Sequence, residues 1–216
     1  MIAYQHLIRM AWKRPLKILL LVIVGLIALR LAFYIEPLDK HREALLLETF
    51  SPEQLVTYHW DKDLNQTLDK ALPIEQIAAL TPEDGLVTDI GGKVHYLLKG
   101  TSTITGLTDQ FIVLALPDNR QGRLPVKHLF GNTAVASTGW FQANDFANTM
   151  DYNAASASLN KRLLEKVVQP LLDCLCVGDR LVWVGAVALD PGQSLSATLD
   201  IVPFSLVKTA DSTSPQ

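Results

Sequence analysis

Gly139–Leu172, GWFQANDFANTMDYNAASASLNKRLLEKVVQPLL, is the stretch from which the rest of the chain is read. It opens on a polar knot, Asn144-Asp145-Phe146, and runs into the longest water-soluble helical pattern in the sequence. Tyr152, Leu159, Leu163, Val167 and Leu171 form its apolar stripe. Pro170 has no backbone N–H to donate and predicts a kink or a restart near the helix end. Sequence of period two lies on both sides, so this helix joins two groups of strands within one domain.

Upstream, Gly91-Gly92 marks a turn, after which Val94, Tyr96 and Leu98 alternate. Gly100 predicts a break, with Ile104 and Leu107 continuing the strand or its curled extension. Gln110–Leu116, QFIVLAL, is nearly continuous in apolar residues and suits a strand buried on both faces. Pro117-Asp118-Asn119-Arg120-Gln121-Gly122 is hairpin chemistry, and Leu124, Val126, His128 and Phe130 alternate as a third strand. Downstream, Arg180–Leu189 (RLVWVGAVAL) and Leu195–Val207 read as two more strands joined by the turn Asp190-Pro191-Gly192-Gln193. In the last of these the apolar set moves from Leu199 and Ile201 to Val202, Phe204 and Leu206. A one-residue shift swaps faces, which predicts a bulge or bend near Pro203.

Three strands, a helix and two strands is the order of an OB-type barrel. The expected fold is therefore α+β: an OB-like five-stranded β-barrel over 91–208, with a long helix between strands 3 and 4. A generic α+β sheet with helices on one face is the alternative. Residues 36–90 form a membrane-proximal helical segment. In it Ser51-Pro52-Glu53 starts one helix, which places Trp60 in the core and leaves His59 half-exposed. Pro73 starts a second helix, with Ile74, Ile77, Ala78 and Leu80 apolar. Residues 209–216 read as a disordered tail.

Ahead of all this, Ile18–Ile35 is apolar except for Arg30. About 17 to 25 such residues span a bilayer, and Arg30 lies near the far end, where its stem reaches the headgroups. A cleaved signal peptide is the competing reading, but Ala28 and Ala32 are wrongly spaced for cleavage, with Arg30 between them. No cysteine follows the apolar run. Arg9, Lys13, Arg14 and Lys17 precede it, so residues 1–17 form a basic cytoplasmic tail, 18–35 a transmembrane anchor, and the remainder lies on the periplasmic side of an inner membrane.

The whole chain carries 19 Lys+Arg and 22 Asp+Glu. Five of the basic residues and none of the acids fall in residues 1–35, leaving 14 against 22 beyond them, a net of −8. That balance disfavours nucleic acid as a partner. The histidines at 6, 41, 59, 95 and 128 show no metal-ligand spacing, and no nucleotide-binding fingerprint, nucleophile elbow or cofactor motif is present. No catalytic residue is assigned. Asn144, Asp145 and Asn148 have oxygens suited to a sugar or a hard cation. They equally suit a helix start, where side-chain oxygens satisfy free N–H groups, and capping needs fewer assumptions. Cys174 and Cys176 are either a redox pair with a strained disulfide or small apolar residues ending the helix stripe.

Phe141-Gln142-Ala143-Asn144-Asp145-Phe146-Ala147-Asn148 resembles a Phe-x-x-Phe/Asn-Asp/Glu-Phe-Thr-Asn-Gln segment of a bacterial family of predicted periplasmic lipoproteins of unknown function. The similarity continues through Tyr152, Ser158–Arg162 and Gly178–Ala186, with weaker echoes at Phe50, Tyr58, Trp60 and Lys99-Gly100. Two departures stand out. A hydrophobic anchor replaces the family's lipobox cysteine, and Phe130–Val135 lacks the arginine of its Gly-Pro-x-x-Arg-Gly run. The resemblance implies a place beside sugar ABC transport systems and carries over no catalytic residue. The expected function is a membrane-tethered, non-catalytic periplasmic accessory or binding domain, its partner a transporter component or another envelope protein. The alternatives are a hydrolase-type enzyme built around Asn144, Asp145 and His128, and an oligomerising envelope scaffold.

Overall fold

A computed structural model describes residues 19–25, 51–85, 87–88, 92–191 and 196–209. The chain divides into two units, 1–44 and 45–216. In the first, residues 19–25 are helical and exposed. No helix among the described residues is long and apolar enough to cross a membrane. The basic tail 1–17, the rest of the predicted anchor, residues 36–50 and the tail beyond Thr209 lie outside the described residues.

The second unit is a mixed α+β domain built on a curled sheet. Its axis is β3 (Val94–Leu107), flanked by two-residue bridges, β1 (Leu72–Pro73) and β2 (Val87–Thr88). The predicted break at Gly100 does not occur. Gly100 pairs with Trp183, and a Cβ there would meet Ile74 Cγ2 at 2.7 Å and Trp183 Cζ2 at 3.2 Å. The glycine is needed for close approach, not for a turn. From Val94 to Thr103 the strand pairs antiparallel with β6 (Arg180–Leu189); from Ile104 onward, across a bulge between Ile104 and Gly106, it pairs with β4 (Phe111–Ala115). That change of partner curls the sheet.

β4 turns into β5 (Gln121–Pro125) through Asp118 and Asn119, both at φ 57°, as a tight primed hairpin turn requires. β4 is buried on one face only, through Ile112 and Leu114, so the expectation of burial on both faces fails. β5 also stops earlier than the alternation suggested. After Pro125 the chain leaves the ladder and buries Leu129, leaving His128 and Phe130 exposed.

The last strand breaks near Pro203, as the face swap predicts. β7 (Thr198–Asp200) pairs parallel with β5, β8 (Val202–Thr209) pairs antiparallel with β6, and Ile201 links them. The register shift on β6 falls at Val184/Gly185, and Pro203 sits opposite Gly185. The sheet order is β7-β5-β4-β3-β6-β8.

Helices cover this sheet. α1 (Pro52–Asp69) buries Leu55, Val56 and His59 and leaves Trp60 half-buried, the reverse of the sequence expectation for the last two. Trp60 instead receives the Arg162 guanidinium over its ring at 5.4 Å. Ile74–Ala79 is a 3-10 turn rather than a second α-helix, held short between the β1 bridge at Pro73 and extended Leu80. A 3-10 turn follows at Pro82–Asp84, where the Asp84 carboxylate accepts from the Thr81 N–H and hydroxyl, each at 2.8 Å. Those bonds, the backbone one first, hold Asp84 below the usual carboxylate range. α2 (Thr133–Thr138), not foreseen, is almost wholly buried against β3 and β6. α3 (Thr149–Leu163) is the predicted helix and packs on α1. It ends in a π-turn, Leu164–Val168, before α4 (Gln169–Leu172). Pro170 explains the π-turn, because its ring cannot follow an ordinary turn without a clash and a lost hydrogen bond.

Candidate functional site

The polar knot is committed to backbone capping. The Gln142 N–H donates to Asp145 Oδ2 at 2.6 Å, so Asp145 closes a 3-10 turn, Ala143–Asp145, and is not the cap of α3. That cap is Asn148, whose Oδ1 accepts from the Asp151 N–H at 3.0 Å. Asn144 is exposed beside them. Phe146 packs edge-on between Phe141 (5.4 Å) and Tyr152 (5.7 Å), while Trp140 stacks on His59 (5.6 Å, 13°) and donates from Nε1 to Thr67 Oγ1 at 2.9 Å. The segment is thus docked onto α1 by its aromatics, with its polar groups outermost.

The concave feature lies elsewhere, in a groove of about 860 Å³ at the end of β6. β4 and β5 supply Phe111 and Arg123, the segment after β5 supplies His128 and Phe130, and β7 supplies Asp200. The parallel register sets Arg123 opposite Asp200, and the guanidinium donates to Asp200 Oδ1 from Nε at 2.8 Å and from Nη2 at 2.7 Å. The same guanidinium lies 5.1 Å from the Phe111 ring centroid. Lys127 is paired with Asp109 at 3.0 Å. Such exposed pairs add little stability, about 0–1 kcal/mol each, but they leave an oriented row of donors and acceptors beside an aromatic face.

Phe130 is 79% exposed at the groove, with the His128 ring 5.6 Å away. The turn that follows it is held from below. Gly131 adopts φ 77°, and its carbonyl accepts two hydrogen bonds of 2.9 Å from α3, one from Ser156 Oγ and one from Asn160 Nδ2. Both donors are on buried side chains. Buried hydrogen bonds fix geometry because breaking one strands a desolvated group.

His128 is therefore the one residue of the predicted hydrolase constellation that lines the groove; Asn144 and Asp145 do not. Cys174 and Cys176 are free, exposed thiols, and the apolar residue buried between them is Leu175. The view of the cysteines as packed apolar residues is corrected accordingly. Phe111, Arg123 and Asp200 were missed as site residues. They occupy outward phases of their strands, and that phase is the only sequence signal that marks them.

The family described as "Predicted periplasmic lipoprotein (DUF2291)" matches residues 21–207. The chain belongs to this family. Its OB expectation also has a counterpart: a crystal structure of an OB-fold protein from Thermotoga maritima superposes with a TM-score of 0.60 at 22% identity, covering 74% of this chain and 99% of that one. At that identity the likeness speaks for the fold alone. Comparison with curated proteins finds no match.

Proposed function

We propose that this family member is a non-catalytic accessory domain of the periplasm, tethered by residues 18–35 to the inner membrane with its N-terminus in the cytoplasm. It reads as an OB-like barrel that offers the β4–β5–β7 groove to an envelope protein, a component of a sugar ABC transport system being the expected partner. The observation that supports this most directly is Phe130, a large apolar side chain left exposed beside a turn whose Gly131 carbonyl is held by Ser156 and Asn160. An exposed aromatic beside paired charges suits a binding hot spot. OB folds bind across this face of the barrel, beside the loops that flank it.

The test is photocrosslinking in intact membranes, with a photoreactive phenylalanine analogue at position 130 of the full chain and, as control, at Val182 on β6. A discrete envelope-protein adduct from 130 that is lost on Arg123→Ala supports the reading. Identical adducts from both positions, or none from 130, would refute it.

A further inference from the structure

The loop between α4 and β6 carries chemistry that the groove does not use. Cys174 and Cys176 flank buried Leu175 with both thiols exposed. The loop is pinned at several points. The Gly178 N–H donates to Ile104 O at 2.8 Å, Gly178 takes φ 98°, and the Ile104 N–H returns a bond to Asp179 O at 2.9 Å. Asp179 Oδ2 accepts from the Cys176 N–H at 2.7 Å and from Lys208 Nζ at 2.7 Å. The Lys208 ammonium also donates to Cys174 O at 2.9 Å. One cation on β8 is thereby held against the backbone of the whole Cys-x-Cys turn. Its hydrogen bond to Asp179, above all, keeps Lys208 above the usual lysine range, with smaller contributions from Cys176 and then Cys174.

We propose that Cys174 and Cys176 form a dithiol site that exchanges with disulfides, with Cys176 attacking and Cys174 resolving. Five considerations carry it. The Lys208 ammonium is fixed against the Cys-x-Cys turn by Cys174 O and Asp179, which sets a cation beside the sulfur that attacks. Cys174 Sγ is engaged as a donor to Leu171 O at 3.1 Å, whereas the Cys176 thiol is simply exposed, and Cys176 is assigned as the nucleophile on that geometry. Neither cysteine lies in a helix or strand, so closing a bond between them breaks no ladder. Two residues of chain span at most about 7 Å, so the separation of the two Cα atoms is within reach of the roughly 4.4–6.8 Å of a disulfide. The family description places the domain in the periplasm, where disulfides form and persist.

The chemistry balances with an external disulfide as the oxidant. The Cys176 thiolate attacks one of its sulfurs, forming a mixed disulfide and expelling a thiolate, which takes a proton from water. Cys174 then gives up its proton to solvent and attacks the Cys176 sulfur. The second thiolate leaves, and the Cys174–Cys176 bond remains. The protein loses two electrons and two protons, and the external disulfide becomes two thiols. A bridge over so short a loop is strained and correspondingly easy to reduce, which makes the cycle reversible. This site adjoins the start of β6 at Arg180, whereas the groove lies at its end near Leu189, about 30 Å of extended strand away. It stands independently of the groove.

The experiment uses the full chain in detergent micelles, equilibrated in glutathione buffers of graded ratio, acid-quenched, alkylated and measured by intact mass and peptide mapping. The expected result is direct interconversion of a reduced form and a form with one Cys174–Cys176 bond. Cys174→Ser should arrest at a mixed disulfide of Cys176 with glutathione. Lys208→Gln should slow the first reaction with an aromatic disulfide reagent at neutral pH by about threefold or more, and Lys208→Arg should restore it. Near-UV circular dichroism confirms that each variant keeps its tertiary packing. Independent glutathionylation of both cysteines without closure, thiols that stay reduced in the most oxidising buffer, disulfide-linked dimers as first product, or a Lys208→Gln protein as fast as the parent would each overturn the proposal.

Discussion

Two glycines decide whether the sheet can close around Ile201, and a side-chain-specific rescue tests this. A Cβ built on Gly122 of β5 lies 2.8 Å from Ile201 Cδ1, and one built on Gly185 of β6 lies 2.3 Å from Ile201 Cγ2 and 3.1 Å from Val202 O. Ile201 is fully buried, at the point where the chain leaves the β5 ladder for the β6 ladder. Gly→Ala at either site adds one methyl to a closed core. Overpacking of this kind costs about 1–3 kcal/mol, offset by about 0.4–1 kcal/mol from the stiffer unfolded chain. Gly185→Ala should be the worse of the two, because one of the atoms it meets is backbone. Ile201→Val removes Cδ1 and keeps both γ carbons, and alone costs about 0.5–1.5 kcal/mol. It should therefore relieve Gly122→Ala and leave Gly185→Ala unrelieved. Denaturant unfolding of the full chain in micelles, followed by tryptophan fluorescence, supplies both double-mutant cycles. The expected coupling is about 0.5–1.5 kcal/mol for the Gly122 pair and near zero for the Gly185 pair. Equal coupling in both cycles, or none in either, would refute the claim that these contacts, rather than general strand flexibility, require glycine.

Two further outcomes follow from caps and charges. Asn148→Ala should cost about 0.5–2 kcal/mol in the same unfolding assay, since it removes the bond to the Asp151 N–H, while Asn144→Ala at its exposed site should cost almost nothing. Asp84 and Asp179 are both held below the ordinary carboxylate value of 3.8, Asp84 by the Thr81 backbone bond first and Asp179 by Lys208 first. A depressed folded pKa contributes stability that is present above the unfolded value and is lost as pH falls through the folded one. Unfolding midpoints measured from pH 6 downward should therefore fall most steeply below about pH 4, and Asp84→Asn with Asp179→Asn should flatten that limb. An unchanged acid limb in the double variant would count against both capping networks.

The parts of the fold that could be read in advance are those where one local signal decides. RLVWVGAVAL is β6 residue for residue, and the face swap after Ile201 does mark the change of ladder. Pro170 predicts a departure from α-geometry, and the π-turn, Leu164–Val168, ends two residues before it. What escaped is set by distant partners. α2 is six small or medium residues without amphipathic period, and it is a helix because β3 and β6 bury it. Gly100 looks like a breaker until Ile74 and Trp183 are placed over it. His59 and Trp60 differ by one position on α1, and their burial was assigned the wrong way round because Trp140, eighty residues on, stacks on the histidine. The groove depends on a parallel ladder that sets Arg123 opposite Asp200, a pairing that no local pattern announces.

The stretch from Gly139 to Leu172 nevertheless bears on function, through a different part of itself. Its exposed polar residues organise only their own turn, since Asp145 and Asn148 each cap nearby backbone. Two polar residues inside the helix reach further. Ser156 and Asn160 interrupt an otherwise apolar buried face, a cost offset by hydrogen bonds from Ser156 Oγ and Asn160 Nδ2, although Asn160 Oδ1 is buried without a partner. Both find the same acceptor, the Gly131 carbonyl, in a left-handed turn next to Phe130. A helix needing only a hydrophobic face would carry alanine or leucine at those positions. The two donors instead fix the Gly131 turn next to Phe130, so the helix that joins the two halves of the sheet also shapes one wall of the groove.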